Sequence, residues 1–198
     1  MTTPKGRATR DRIVATAAAL MYERGVAGTS TEDVQAAAGV SASQLYHYFA
    51  DKRSLTRAVI DYQADAILGF QESMLARVDS LDGLRNWAAA IVDIQRSNGF
   101  RGGCPLASLG SELAESDSAA REDVEAGYQR WQAAIRSGLA AIRDRGGLVD
   151  SADIDQLATA LLTSLQGGLL LAKVQRDGTP LKTALSTAID HVATFAAA

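Results

Sequence analysis

Residues 29–55 read TSTEDVQAAAGVSASQLYHYFADKRSL, and two helix starts are spelled there eleven residues apart, at Ser30 and at Ser41. Each serine is followed three residues later by a polar acceptor, Asp33 and Gln44, so each pair can satisfy the free amides that open a helix. The first helix is expected over residues 31–38. Gly39 then stands where the chain must turn left-handed to end it, and Val40 becomes the buried turn residue. The second helix, residues 42–48, turns Leu45 inward, with Phe49 following at the same spacing. It leaves Ala42, Ser43, Gln44, Tyr46, His47 and Tyr48 largely outward. A short exposed helix set across a preceding one is the form that enters a major groove.

The flanks extend this unit. Residues 7–24 make one amphipathic helix with Ile13, Ala17, Leu20 and Met21 on its core side, stopped at Gly25. Residues 52–77 make another, with Leu55, Val59, Tyr62, Ala66 and Phe70 near helical spacing, and it leads out of the head into the rest of the chain. Charge divides along the same line. Residues 1–55 carry seven Lys or Arg against five acids, a net of +2, whereas the remainder carries 13 against 18, a net of −5. Lys52-Arg53 at the exit of the second helix could be a solvated face. Its position also suits phosphate contacts that hold the reading helix in place.

These motifs closely resemble the DNA-binding domain of the tetracycline-repressor (TetR) family of bacterial transcriptional regulators. The resemblance rests on Thr29-Ser30-Thr31, Ala37-Ala38-Gly39-Val40-Ser41, Leu45-Tyr46-His47-Tyr48-Phe49 and Asp51-Lys52-Arg53-Ser54-Leu55, and it is specific over about residues 7–60. Ser43, where the family often carries Gly, and Gln35, where Ala is common, depart from the pattern and leave the base preference open. The resemblance implies an all-α chain, with a three-helix helix-turn-helix domain at residues 1–50 and a helical ligand-binding and dimerisation domain at residues 51–198. It implies double-stranded DNA as the partner. Ser43, Gln44 and Tyr46, followed by His47, would approach base edges, Thr29, Thr31, Tyr48 and Lys52 would hold phosphates, and Ser41 and Ala42 complete the DNA-binding set. Gln44 can read adenine with two hydrogen bonds.

Composition fits a helical, soluble, cytoplasmic protein: 198 residues, 47% hydrophobic, with Ala-rich runs and three prolines. The single cysteine excludes an internal disulfide and suits a reducing compartment. No secretory leader is expected, because the apolar run at residues 15–21 contains Thr16 and runs directly into Glu23 and Arg24. Residues 156–173 are uncharged up to Lys173, but Gln156, Thr159, Thr163, Ser164 and Gln166 argue against a membrane span.

The body is expected to be helical at residues 82–97, 105–115, 119–145, 152–175 and 180–195, with breaks at residues 98–103, at Gly146-Gly147 and at residues 177–179. Asp153 and Thr179 are expected caps, and Pro180 suits a first helical position. Ile154, Leu157, Leu161, Leu165, Gly168 and Ala172 form one stripe, and Leu181, Leu185, Ala188, Val192 and Phe195 form another. Both are open to two readings, an internal core or a dimer seam. Gly167-Gly168 inside a helix asks for a compensating close approach. The resemblance favours a homodimer through the last two helices, and hence an inverted-repeat operator with reading helices about 34–36 Å apart or more.

The resemblance also implies an inducer pocket for a small molecule in the body. Its expected lining is Trp87, Ile91, Phe100, Cys104, Leu109, Tyr128, Trp131, Leu165, Gln166 and Leu169; an ordinary packed core is the other reading of the same residues. The two tryptophans stand out, because a buried indole N–H needs a partner. Cys104, in Gly102-Gly103-Cys104-Pro105, sits at an expected helix start that could activate a thiolate as a redox or electrophile sensor. Free cysteines also serve as small buried hydrophobes. No cofactor or metal is expected, since two histidines and one cysteine build no cluster. A cysteine hydrolase pairing Cys104 with His191 has no motif around either residue, so no enzyme is expected. A helical scaffold for a protein partner would explain the helices but not the basic tail beside the capped pair.

Overall fold

Most helices of this chain begin at a side chain that accepts their free amides. In the computed structural model, which describes residues 3–197, the described residues form α1 (Pro4–Arg24), α2 (Thr31–Ala38), α3 (Ala42–Tyr48), α4 (Lys52–Leu75), α5 (Leu81–Ser97), α6 (Pro105–Leu113), α7 (Ser118–Asp144), α8 (Ile154–Gln175) and α9 (Thr179–Ala193). Thr3, Ser30, Ser41, Ser80 and Asp153 each accept the amide three residues on. Asp51 and Asp117 do the same for Ser54 and Ala120 at the starts of α4 and α7. One antiparallel bridge, Leu148 with Ala196, is the β pairing found among the described residues.

Two helix starts differ from expectation. Thr179 is the first residue of α9 rather than its cap; Asp177 Oδ1 accepts both its amide and its hydroxyl, at 3.1 and 3.0 Å. The carboxylate closes the turn two residues early, as aspartate does in loops. The long helix α4 follows its predicted stripe only at first. Leu55 and Val59 are buried, but Tyr62 and Phe70 are 43% and 42% exposed and Ala66 is exposed too. Its interior face continues instead through Ala64, Leu68, Gln71 and Leu75. Two apolar stripes lie on this helix, and spacing alone does not say which one meets the core.

The chain forms two compact units. One takes the residues up to Ala66 together with Pro105–Gly127; the other takes Ile67–Cys104 and the chain from Tyr128 onward. Thus α4 and α7 each start in the first unit and finish in the second. The segment Pro105–Gly127, expected within a body beginning at residue 51, clusters with the N-terminal helices. In the first unit α1 packs on α2 and α2 on α3, around Ile13, Ala17, Met21, Val34, Leu45 and Phe49. In the second, α8 packs along α9, and α9 on α5.

The α8 stripe named in the sequence is buried throughout, and Leu181, Leu185 and Val192 of α9 are buried with it. Much of both stripes is therefore internal to one chain. Gly168 explains the close approach: a Cβ there would stand 2.9 Å from Leu181 Cα, whereas one on Gly167 would meet nothing within 4 Å. A different α8 face is exposed and apolar, with Leu170, Leu171 and Val174 at 60%, 49% and 70% exposure.

Candidate nucleic-acid interface

The helix pair α2–α3 is built almost wholly from local hydrogen bonds. Ser30 Oγ accepts from Asp33 N at 3.1 Å while Asp33 Oδ2 accepts from Ser30 N at 2.9 Å, closing a reciprocal box at the start of α2. The Ser30 bonds, side chain first and then backbone, hold the Asp33 carboxyl below the usual carboxylate range. Gly39 ends α2 at φ 61°, ψ 45°; its amide donates to Ala36 O, and Val40 N donates to Gln35 O at 3.1 Å. This left-handed stop turns the chain so that α3 can cross α2.

A second reciprocal box opens α3. Ser41 Oγ accepts from Gln44 N at 3.2 Å, and Gln44 Oε1 accepts from Ser41 N at 3.0 Å. The carboxamide of Gln44 is thus folded back on its own helix start. Leu45 is fully buried and Phe49 nearly so, which pins the inner face of α3. Ala42, Ser43, Gln44, Tyr46 and His47 are exposed on the outer face, and Tyr48 is half-buried with its ring edge-on to His47. Tyr46 OH lies 3.4 Å from Thr31 Oγ1, so the start of α2 and the outer face of α3 form one polar surface.

Two expected phosphate contacts are placed differently. Thr29 is 0% exposed and its hydroxyl donates to Gly25 O at 2.8 Å, which closes the turn after α1 and leaves no hydroxyl for a phosphate. That role is corrected to a structural one. Arg53, paired in the sequence with Lys52, donates from Nε and Nη2 to both Asp117 oxygens, each at 2.9 Å. Lys52, at the first position of α4, is partly exposed. On α1, the Arg10 guanidinium lies 5.2 Å from the Phe49 ring centroid, placing one basic side chain beside the end of α3.

Sequence reasoning missed the carboxylates that brace this head. Glu112 of α6 accepts from Val26 N at 2.8 Å and Ala27 N at 2.6 Å, in the turn between α1 and α2. Asp117 accepts the Arg53 fork and the Ala120 amide; the Arg53 bonds foremost hold its carboxyl at about 2. Arg57 forks onto Asp123 in the same way, at 2.6 and 3.0 Å. These partners lie 64 to 86 residues apart in sequence, so no local pattern announces them. The cap position of Asp117, ahead of α7, was the one available signal.

Of the expected pocket residues, Leu109 belongs to the first unit and the other nine to the second. Trp87, Ile91, Cys104, Leu109, Trp131, Leu165 and Leu169 are buried; Phe100, Tyr128 and Gln166 are partly so. Cys104 directly precedes α6, as expected, but is 7% exposed. Burial first, and then the neighbouring Cys104, to which it is hydrogen-bonded, push the ionisation of Tyr128 well above the ordinary phenol range. Trp87 Nε1 donates to the buried Gln71 Oε1 at 2.7 Å. Between α5 and α9 lies a groove of about 240 Å³ over Ala88, Val92, Leu185 and Ile189. Phe100 lines an adjoining space of about 460 Å³.

Residues 13–59 match the family model described as bacterial regulatory proteins, tetR family, and residues 80–188 match one described as a tetracyclin repressor-like C-terminal domain. The chain is similar to an HTH-type transcriptional regulator of Mycobacterium tuberculosis, 31% identical over 87% of this chain and 88% of that one. It is also similar to the HTH-type transcriptional repressor DhaR of Mycobacterium sp. strain GP1, 24% identical over 91% and 90%. Among solved structures, a TetR transcriptional regulator from Chloroflexus aurantiacus superposes with a TM-score of 0.82 at 29% identity, over 98% of this chain and 99% of that one.

Proposed function

Because the chain belongs to the TetR family of bacterial transcriptional regulators, we propose that it is a ligand-responsive repressor. It binds a palindromic operator as a homodimer and leaves it when a small-molecule inducer occupies the helical body. The observation that carries the DNA side of this reading is the doubly capped α2–α3 pair, with its hydrophobic face sealed by Leu45 and Phe49 and its outer face left polar. Such a helix is rigid before it meets DNA, so little ordering cost is incurred on binding.

The base-reading residues are Ser43, Gln44 and Tyr46, with His47 beside them and Ser41 and Ala42 at the helix start. Thr31, Tyr48 and Lys52 position the helix on phosphates. Gln44 can form its paired bonds to adenine only by releasing Ser41 N from Oε1 or by sharing that oxygen. Operator binding and helix capping therefore draw on the same carboxamide. The repressor sign draws support from relatives such as DhaR, which carries the name of a repressor.

Dimerisation is assigned to α8 and α9, and specifically to the exposed Leu170, Leu171 and Val174 rather than to the buried stripes. Exposed residues of this size at one helix face favour a second apolar surface. The head at residues 1–50 then reads DNA, and residues 51–198 bind the ligand and the second subunit. Because α4 and α7 run from one compact unit into the other, ligand occupancy has two continuous helices through which to bias the head.

The test is sedimentation of the purified protein alongside duplex titration. The wild type sediments as a dimer and binds duplex DNA in a salt-sensitive manner. The Leu170→Glu/Val174→Glu variant sediments as a monomer and binds the same duplex more weakly. A variant that remains dimeric would refute the assigned face.

A further inference from the structure

Three side-chain polar atoms stand out in the second unit. The indole Nε1 of Trp131 and both ends of the Gln166 carboxamide, Oε1 and Nε2, are buried without a hydrogen-bond partner. The contrast lies within the same unit, where Trp87 Nε1 is satisfied by Gln71. A buried amide or indole N–H left unpaired has given up its hydrogen bonds to water with nothing in return, so a folded protein keeps such groups for a partner that completes them.

The two residues stand on neighbouring helices of that unit: Gln132 Nε2 on α7 donates to Thr159 Oγ1 on α8 at 2.8 Å. Trp131 follows Tyr128 by three residues and precedes Ile135 by four, so all three share one face of α7. Trp131 is 2% exposed and Ile135 fully buried. Gln166 stands on α8 between the buried Leu165 and Leu169. Gly103, next to Cys104, approaches Leu169 O and the Lys173 side chain, and Cys104 is hydrogen-bonded to Tyr128.

The charge of the partner follows from what the interior lacks. Among the described residues of the second unit, the fully buried polar side chain is Gln71; Lys173, whose stem passes Gly103, keeps partial exposure, and no Lys, Arg, Asp or Glu is fully buried. An ionised ligand would lose its hydration with no counter-charge to replace it, whereas a neutral one is only required to match hydrogen bonds. The Gln166 carboxamide presents one acceptor beside a donor, and Trp131 presents one donor.

We propose that Gln166 and Trp131 are the polar contacts of the ligand site, and that the ligand is an uncharged, largely apolar molecule carrying an amide or an equivalent group with a carbonyl beside an N–H or O–H. This rests on the inducer reading above and gives that inducer a chemistry. Gln166 Nε2 donates to the ligand carbonyl, Gln166 Oε1 accepts from the ligand donor, and Trp131 Nε1 donates to a further acceptor. The apolar part of the ligand packs on Leu165 and Leu169.

The test uses the full chain and four ring compounds of matched size: benzamide, benzoate, benzylamine and toluene. Thermal unfolding is followed against the concentration of each. Benzamide raises Tm in a saturable manner, while benzoate and benzylamine leave it unchanged and toluene acts more weakly. In Gln166→Leu and Trp131→Phe, the apparent affinity for benzamide falls by at least about tenfold. Without any probe, Gln166→Leu melts no lower than the wild type, because it removes an unsatisfied group while keeping the volume filled. The proposal is overturned if benzamide has no effect, if benzoate stabilises equally, or if the variants respond like the wild type. It is also overturned if probe-free Gln166→Leu melts lower, since the carboxamide would then have internal partners such as bound water. Duplex binding by the wild type separates the two readings: if it persists while the ligand chemistry fails, the ligand proposal alone falls, and its absence would strike the regulator reading instead.

Discussion

Glu112 of α6 holds the backbone of Val26, accepting its amide at 2.8 Å, and accepts that of Ala27 at 2.6 Å with its other oxygen. The turn it grips runs directly into Thr29, whose hydroxyl closes onto Gly25, and then into the Ser30 cap of α2. A residue remote in sequence therefore fixes the entry to the reading head.

Replacing Glu112 with Ala should lower stability by about 1 kcal/mol, the ordinary worth of such bonds near the surface. It should also weaken binding to all duplex sequences alike, because the residue positions the head without touching a base. Glu112→Gln keeps one acceptor and should recover part of both effects. Chemical denaturation and duplex titration measure them; a change in base preference would contradict the positioning role.

The Arg53–Asp117 fork predicts an acid-sensitive joint between α4 and α7. Asp117 is held at about 2, below its ordinary 3.8, so its ionised form is favoured by folding. That contribution is present in full above the ordinary value and is lost as pH falls through about 2. Asp117→Asn should flatten the decline in thermal stability over this window, and Arg53→Ala should reduce it. An unchanged acid profile in both variants would rule the coupling out.

Gly168 and Gly167 make an internal control for the α8–α9 packing. A Cβ on Gly168 would stand 2.9 Å from the Leu181 backbone, which cannot move aside cheaply, so Gly168→Ala should cost about 1–3 kcal/mol. Gly167→Ala places its methyl in open space and should stabilise the helix by up to about 1 kcal/mol. Urea unfolding of the two variants decides it; equal destabilisation would show that helix propensity, not the Leu181 approach, dominates.

The legibility of this chain tracks the range of its interactions. Ser30, Asp33, Gly39, Ser41 and Gln44 each act on a partner within five residues, and α2 and α3 begin and end where their spacing says. Where the fold chooses among faces, the sequence is less decisive. On α4 it offers both a Tyr62–Phe70 stripe and an Ala64–Leu68 stripe, and only packing selects the second. On α8, nearly all positions from Leu165 to Leu171 are apolar or Gly, so the internal stripe and the exposed Leu170–Leu171 face could not be separated by period. Thr29 reads as a polar residue beside a DNA helix, yet its hydroxyl is spent on a turn. The partners of Glu112, Asp117 and Asp123 are invisible until the chain is folded.

The most direct measurement is selection of duplexes from a random pool by the purified protein and by Gln44→Ala, each repeated at several salt concentrations, with Lys52→Ala as the phosphate control. The wild type should enrich an inverted repeat. Gln44→Ala should lose about 1–3 kcal/mol of discrimination at one symmetric pair of positions and keep the rest of the pattern. Lys52→Ala should keep the whole pattern, bind more weakly, and reduce the salt slope by about one for each subunit contact removed. Failure of the wild type to enrich any duplex, or an unaltered base preference in Gln44→Ala, would contradict the assignment of α3 as the reading helix with Gln44 at its centre.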